Sequence, residues 1–176
     1  MKLTYHLKPF LIILFSVFLL QGFCQVPDGG TMLNTTTGTT WQKVGKGVLT
    51  QVNISDQPFT KALRMTTGTD IQNFWDSQIQ FPSAAGIATN DVILVAFYAR
   101  TIASVQETGQ GYATVIIENS TSYEKELSNK ISIDSEWKEY YASVKSKSTW
   151  TTSQVRYALF TGYLSQTIEV ADVRFL

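Results

Sequence analysis

The chain of 176 residues carries 14 basic and 14 acidic side chains, so its formal net charge at pH 7 is zero. Apolar residues make up 44% of the sequence and aromatic residues 12%, which excludes a disordered chain and is typical of a globular protein. The balanced charge also argues against a nucleic-acid-binding surface, because such a surface needs clustered Lys and Arg.

The first 24 residues have the pattern of a secretory signal peptide. A basic start is followed by an apolar stretch over residues 10–20, which is shorter than the ~20 residues of a membrane-spanning helix. The small residues Gly22 and Cys24 fit cleavage before Gln25. A lipoprotein with Cys24 as its lipidated first residue is less favoured, because bulky Phe23 precedes it. We expect a secreted, periplasmic or cell-surface protein with no membrane span in the mature chain.

Cleavage of the signal peptide removes two side chains of types on which many enzymes depend for catalysis. It leaves 176 − 24 = 152 residues and takes away His6 and Cys24, the single His and the single Cys. Disulfides, His/Cys zinc sites and Ser-His-Asp or Cys-His catalysis are therefore excluded. Chemistry based on carboxylates, Lys, Arg or Tyr remains available. We expect residues 25–176 to form one domain.

Short runs rich in Val, Ile, Thr, Tyr and Phe, separated by Gly, Asn, Asp and Ser, predict strands along the whole chain. The predicted strands are residues 30–35, 40–46, 48–54, 61–67, 74–81, 92–101, 111–118, 122–127, 130–134, 137–145, 154–163 and 167–175. This regular spacing of turn residues, which includes a predicted turn at residues 128–129, indicates an all-β fold. The fold is predicted to be an antiparallel β-sandwich of the jelly-roll type.

Apolar patterning ranks the predicted strands by exposure. Residues 92–100 and 155–163 are largely apolar on both alternating faces, which predicts central strands. Residues 137–144 include Lys138 and Glu139 and predict a more exposed strand.

Four segments, taken in order, resemble a known family. They are residues 73–79 (NFWDSQI), 90–100 (NDVILVAFYAR), 136–140 (EWKEY) and 166–173 (QTIEVADV). Together they resemble the jelly-roll carbohydrate-binding modules related to families 4, 9 and 22, like those that precede the catalytic domain of bacterial secreted family 10-type xylanases. The resemblance covers residues 61–176. It implies binding of plant-type β-linked polysaccharide, no catalytic residues, and a possible glycoside hydrolase partner domain from which the chain derives.

The resemblance also bears on calcium. Many such modules end in an Ile-Asp-Asp-Val-type strand from which an Asp helps to hold a structural calcium ion. Here the strand reads Val170-Ala171-Asp172-Val173, so one acid of the pair is missing and Asp172 is the single candidate ligand. Because calcium takes six to eight oxygen ligands, the ion is an open expectation, and no other cofactor is predicted.

Carbohydrate binding needs aromatic faces that stack on pyranose rings and polar groups that bind hydroxyls. The candidates are Trp75, Asp76, Gln78, Tyr98, Arg100, Tyr112, Arg156 and Tyr157.

Several of these candidates have structural alternatives. Trp75 can instead be a core residue, because its alternation partner Ile79 is apolar; Asp76 and Gln78 would then face the groove. Arg100 can equally form a structural ion pair.

Other large or acidic side chains have less specific predicted roles. Phe97 and Trp137 are expected in the core, whereas Trp150 is either an exposed stacking residue or a plug over one end of the sandwich. The glutamates, including Glu118 and Glu169, form no recognisable acid/base motif, and several look like solvated strand faces.

Three functions follow in order of preference. The first is a secreted, non-catalytic module for xylan or β-glucan. The second is an exported β-sandwich for adhesion or protein interaction that binds no sugar. The third is a small carboxylate-dependent glycosidase or lyase, which the absence of a catalytic motif makes least favoured. A binding screen separates the first two, and product release identifies the third.

Overall fold

A computed structural model describes residues 30–35 and 41–176. The predicted signal peptide, its cleavage site and the lipidation alternative lie outside these residues. Within them, ten strands occur: β1 (Gln42–Gly45), β2 (Val48–Asn53), β3 (Lys61–Thr67), β4 (Ser77–Phe81), β5 (Val92–Ser104), β6 (Gly111–Asn119), β7 (Lys125–Ile133), β8 (Lys138–Lys145), β9 (Val155–Phe160) and β10 (Gln166–Phe175). A one-turn 3₁₀ helix, Phe74–Asp76, precedes β4. None of the described residues forms a helix long and apolar enough to cross a membrane.

The strands form two five-stranded antiparallel sheets. The front sheet has the order β1-β4-β9-β6-β7, and the back sheet has the order β2-β3-β10-β5-β8. The chain stays in one sheet only between β2 and β3 and between β6 and β7; every other connection crosses to the opposite sheet. The predicted all-β antiparallel sandwich is confirmed.

The core lies between the sheets and follows the strand alternation. Phe97 of β5, Tyr157 of β9 and Phe175 of β10 are fully buried there, and the rings of Tyr157 and Phe175 lie 4.9 Å apart. Trp150 is buried with this core and forms a bridge with Ile87. Phe97 is therefore a core residue as predicted, and Trp150 closes the sandwich as a plug.

The predicted ranking of strands by exposure agrees with the topology. β9 is the central strand of the front sheet, and β5 lies between β10 and β8 in the back sheet. β8, the strand predicted to be more exposed, is an edge strand.

Three local predictions are wrong. Residues 128–129 are not a turn, because their backbone pairs with Val115 and Ile116 of β6 inside the continuous strand β7. Residues 30–35 form only an isolated bridge at Asn34. Residues 74–76 form the 3₁₀ turn rather than the start of β4. In each case tertiary pairing or capping overrides local propensity.

Two expectations about burial also need correction. Trp137 is half-buried on the outer face of the back sheet, where its ring contacts Phe59 at 4.9 Å and the Arg100 guanidinium at 4.9 Å. Glu118 and Glu169 are not solvated; their residues are 1% and 0% exposed. Each glutamate is buried because cations on both neighbouring strands pair with it.

Candidate functional site

The turn before β4 places two aromatic side chains beside the outer face of the front sheet. The Asp76 carboxylate accepts hydrogen bonds from the backbone N–H groups of Gln72 (2.9 Å) and Asn73 (3.0 Å). These bonds lower the pKa of Asp76. Gly162 packs so closely that a Cβ there would lie 2.6 Å from the Asn73 carbonyl oxygen. The turn therefore holds Trp75 in a position that is 50% exposed.

Strand β9 supplies the centre of that outer face. Tyr157 and Leu159 point into the core, so Arg156 and Phe160 point outward. Phe160 lies opposite Gln78 on one neighbouring strand, and Arg156 lies opposite Glu118 on the other.

A small apolar cluster lies under the turn and apart from the main core. Ile116, Ala158 and Phe160 are buried together, and Phe74 packs on them with its ring centroid 6.0 Å from that of Phe160. Because this cluster is on the outer face, it supports the aromatic turn from beneath.

A cleft of about 350 Å³ opens on this face. It is lined by Phe74, Trp75, Gln78, Glu118, Tyr123, Lys125, Arg156 and Phe160. Trp75 comes from the turn before β4, and Tyr123, which is 61% exposed, comes from the β6–β7 loop. Asn119 orders that loop, since its Oδ1 accepts hydrogen bonds from the backbone N–H groups of Thr121 and Ser122 at 2.9 and 3.0 Å.

The polar side of the cleft is an ion cluster around Glu118. The Glu118 carboxylate accepts a hydrogen bond from Arg156 at 2.7 Å and another from the Lys125 ammonium. The Arg156 guanidinium also donates to the Ser120 carbonyl at 3.2 Å and lies 5.4 Å from the Tyr123 ring centroid. Glu118 therefore fixes two cations and, through Arg156, borders an exposed aromatic ring.

A second aromatic group continues the face beyond Phe74. The Tyr163 ring stacks on Phe74 at 5.5 Å and meets Tyr112 edge-on at 5.9 Å. The Lys130 ammonium lies 4.2 Å from the Tyr112 ring centroid and 4.3 Å from that of Tyr163. This group therefore places the Lys130 ammonium over the rings of Tyr112 and Tyr163.

Four of the predicted site residues lie on or beside this face. Trp75, Gln78 and Arg156 line the cleft, and Tyr112 belongs to the adjoining aromatic group. The alternative in which Trp75 is a core residue does not hold, because the side chain is half exposed.

The other four candidates, Asp76, Tyr98, Arg100 and Tyr157, lie away from this face. Asp76 caps the turn with its carboxylate. Tyr157 is buried, its hydroxyl donates to the Ala85 carbonyl at 3.0 Å, and burial raises its pKa. Tyr98 and Arg100 lie on the outer face of the back sheet, because β5 belongs to that sheet.

The back-sheet position also decides between the two interpretations of Arg100. Its guanidinium donates to Glu169 at 2.8 Å, and Glu169 also accepts from Arg64 at 2.5 Å. The Tyr98 ring packs 5.1 Å from that of Phe59. Arg100 is thus part of a structural ion cluster.

Sequence reasoning missed several cleft residues: Phe74, Glu118, Tyr123, Lys125 and Phe160. One available signal was the alternation in β9, because it places Arg156 and Phe160 on one face and excludes Tyr157 from it. No comparable signal marks Tyr123, which lies in a loop with a φ of 60°.

Asp172 lies beside an Arg rather than in an acidic cluster. Its carboxylate is 3.4 Å from the Arg174 guanidinium. Over residues 30–35 and 41–176 no group of three or more acidic, His or Cys side chains is arranged to hold a metal ion. Structural calcium stays an expectation from the resemblance.

Comparison with known proteins identifies the fold. No protein-family model matches the sequence, and no curated protein matches it significantly. A solved carbohydrate-binding module of family 4 superimposes with a TM-score of 0.59 at 13% identity, over 77% of this chain and 93% of that chain. The xylan-binding CBM22-1 domain of Paenibacillus barcinonensis Xyn10C gives a TM-score of 0.55 at 9% identity, over 82% of this chain and 89% of that chain. The chain has the jelly-roll fold of carbohydrate-binding modules.

The same fold also occurs within a larger enzyme. The arabinose-bound GH51 α-L-arabinofuranosidase matches with a TM-score of 0.61 at 13% identity, but this match covers 83% of our chain and only 24% of the enzyme. The family resemblance predicted from the sequence is confirmed for the fold. A function is inferred from the geometry of the cleft described above.

Proposed function

We propose that this chain is a non-catalytic carbohydrate-binding module that binds plant-type β-linked polysaccharide, xylan or β-glucan, in the front-sheet cleft. The observation that carries the proposal is the combination of exposed Trp75 and Tyr123 with ordered polar groups in one open cleft. Exposed aromatic rings beside fixed hydrogen-bonding groups are what pyranose recognition requires.

The polar groups in the cleft are held in position before a ligand arrives. Gln78 donates one amide N–H to the Trp75 carbonyl at 2.8 Å, and its side-chain oxygen accepts from Gln80 at 2.7 Å. An amide NH₂ has two hydrogens, so Gln78 keeps one donor for a sugar hydroxyl. Such preorganisation reduces the entropy lost on binding.

A glycosidase role is less well supported by the same cleft. Hydrolysis by the common mechanisms needs two carboxyl groups about 5 to 10 Å apart. Glu118 is the one acidic side chain among the described residues that line the cleft, and two cations already pair with it.

The cellular setting completes the proposal. The basic and apolar start of the sequence supports export, and a secreted module of this fold would keep an enzyme or a cell close to its polysaccharide. A glycoside hydrolase domain is the proposed covalent partner. In one structure with this fold, a Clostridium thermocellum CBM22-1 module accompanies a GH10 module in complex with xylohexaose, with a TM-score of 0.55 and 13% identity, over 83% of this chain and 28% of that one.

Binding to immobilised and soluble polysaccharides tests the proposal. We expect retardation of the purified protein in affinity gels that contain xylan or β-glucan, and a measurable Kd by calorimetry with the corresponding oligosaccharides. Tyr123→Ala should weaken binding about tenfold or more, since one aromatic contact contributes on the order of 1 kcal/mol beyond area burial.

Tyr141→Ala is the matched control, because Tyr141 is similarly exposed (55%) but lies on β8 of the back sheet. It should leave affinity unchanged. If the protein binds none of these polymers, the proposal fails and the alternative of a sugar-free interaction domain takes its place. Equal loss in both variants would move the binding surface away from the cleft.

A further inference from the structure

The cleft and its adjoining aromatic group contain more positive than negative side chains. Lys125, Lys130 and Arg156 belong to them, whereas Glu118 is the acidic side chain that the described residues contribute to the cleft and its adjoining aromatic group. Lys125 and Arg156 share the Glu118 carboxylate, which neutralises one of their two positive charges. These two groups of side chains therefore keep a surplus of positive charge, although the whole chain has a formal net charge of zero.

Lys130 contributes most clearly to this surplus. It lies on β7 opposite Thr114, in the same cross-strand row as Phe160. Two tyrosine rings position its ammonium through cation–π contacts at 4.2 and 4.3 Å. Among the described residues, no carboxylate lies within ion-pair distance of this ammonium.

We propose that the cleft selects a uronate-bearing polysaccharide over a neutral one, with Lys130 as the main carboxylate-binding cation and the Lys125–Arg156 pair as the second positive group. This inference rests on the proposed function, and it adds the chemical class of the ligand. A β-linked backbone would contact the aromatic rings, and the carboxylate of a hexuronic acid would pair with the cations beside them.

The geometry favours a carboxylate on a sugar ring over a free anion. In a hexuronic acid the carboxylate is attached to the edge of the pyranose ring. When the sugar stacks on an aromatic side chain, its carboxylate therefore projects from the edge of the stack. Two cations lie over partly exposed rings of this face: the Arg156 guanidinium is 5.4 Å from the Tyr123 ring centroid, and the Lys130 ammonium is 4.2 Å from that of Tyr112. Exposed aromatic rings and nearby cations can thus bind the sugar rings and the carboxylate of one uronate-bearing chain.

A single polymer in two chemical forms tests this selectivity. Glucuronoxylan is compared with the same glucuronoxylan after reduction of its carboxyl groups to alcohols, which removes the charge and keeps the backbone. We expect affinity for the acidic form to be about tenfold higher at 20 mM salt, and the ratio to fall toward one at 1 M salt, because screening shortens the Debye length to ~3 Å. Dextran sulfate serves as a competitor that carries charge without a uronate.

Lys130→Gln should lose most of the preference for the acidic form, so that its affinities for the two forms become nearly equal. The control is Lys61→Gln, which removes an exposed lysine from β3 of the back sheet and should leave both affinities unchanged.

Four results overturn the inference. Equal binding of both forms by the wild-type protein refutes uronate selectivity and leaves the proposed function in place. Equal effects of the two lysine substitutions, or dextran sulfate competing as well as glucuronoxylan, would show non-specific attraction of anions. Absence of binding to either form refutes the proposed function, and the inference falls with it.

Discussion

At the scale of single residues, the buried glutamates carry the sharpest structural information. Glu118 lies on β6 with Arg156 and Lys125 directly across on the neighbouring strands. Glu169 lies on β10 with Arg64 and Arg100 across from it in the same way. Each carboxylate is desolvated, and two cations offset the cost. The pairs differ in location, because only Glu118 borders the cleft.

This difference makes Glu118→Gln and Glu169→Gln a matched pair. Both should lower the free energy of unfolding by about 1 to 2 kcal/mol, because each removes two charge-assisted hydrogen bonds while the partly exposed cations stay solvated. Urea denaturation at pH 7 measures this change. Only Glu118→Gln should also weaken polysaccharide binding, since it releases Arg156 and Lys125 from fixed positions. Equal loss of affinity in both variants, measured well below the unfolding midpoint, would contradict the placement of the cleft.

Asp76 provides a prediction about pH. Its folded pKa is lowered from the ordinary value of 3.8, mainly by the backbone N–H groups of Gln72 and then Asn73. A lowered folded pKa means that the contribution to the turn is present above pH 3.8 and is lost as pH falls through the lowered value.

We therefore expect the affinity of the cleft, which depends on the position of Trp75, to be constant from pH 7 to pH 5 and to fall below pH 4 in titrations of ligand binding. Asp76→Asn removes the titrating group and should show a flatter profile in this range. If both proteins lose affinity over the same acidic pH range, a group other than Asp76 causes the loss.

At the scale of secondary-structure elements, strand periodicity was the most reliable guide. The alternation of β5 puts Tyr98 and Arg100 on the face opposite Phe97, and that of β9 puts Arg156 opposite Tyr157, as in the structure. It could not show which sheet a strand joins, because β5 and β9 have similar apolar patterns. The alternation therefore gives no sign that candidates from these two strands lie on opposite sides of the sandwich.

The turn before β4 depends on a close approach that a substitution can test. A Cβ at Gly162 would lie 2.6 Å from the Asn73 carbonyl oxygen and 3.0 Å from that of Phe74. Gly162→Ala should therefore displace the turn that carries Trp75 and weaken polysaccharide binding severalfold. Tryptophan fluorescence and calorimetry measure the displacement and the affinity. Unchanged affinity would mean that the position of Trp75 does not control binding.

At the scale of the whole molecule, the fold class was predictable and the site was predictable only in part. The fold follows from repeated short apolar runs with turn residues between them, which have few solutions other than a sandwich or barrel. The cleft depends on parts brought together from distant segments: Trp75 from one turn, Tyr123 from one loop, and Arg156 from a late strand. Such contacts are set by sheet order, which local sequence patterns do not encode.

Sheet order also has a consequence for how the chain comes together in time. β9 joins the pair β1-β4 to the pair β6-β7, and β10 joins β2-β3 to β5-β8. These two strands come last in the chain order of the ten strands. Until residues beyond 154 emerge, each sheet can exist only as two separate two-stranded pieces, and pairs of that size are marginally stable in water. The sandwich therefore closes only after the last two of its ten strands have emerged, and its folding is dominated by slow, long-range contacts.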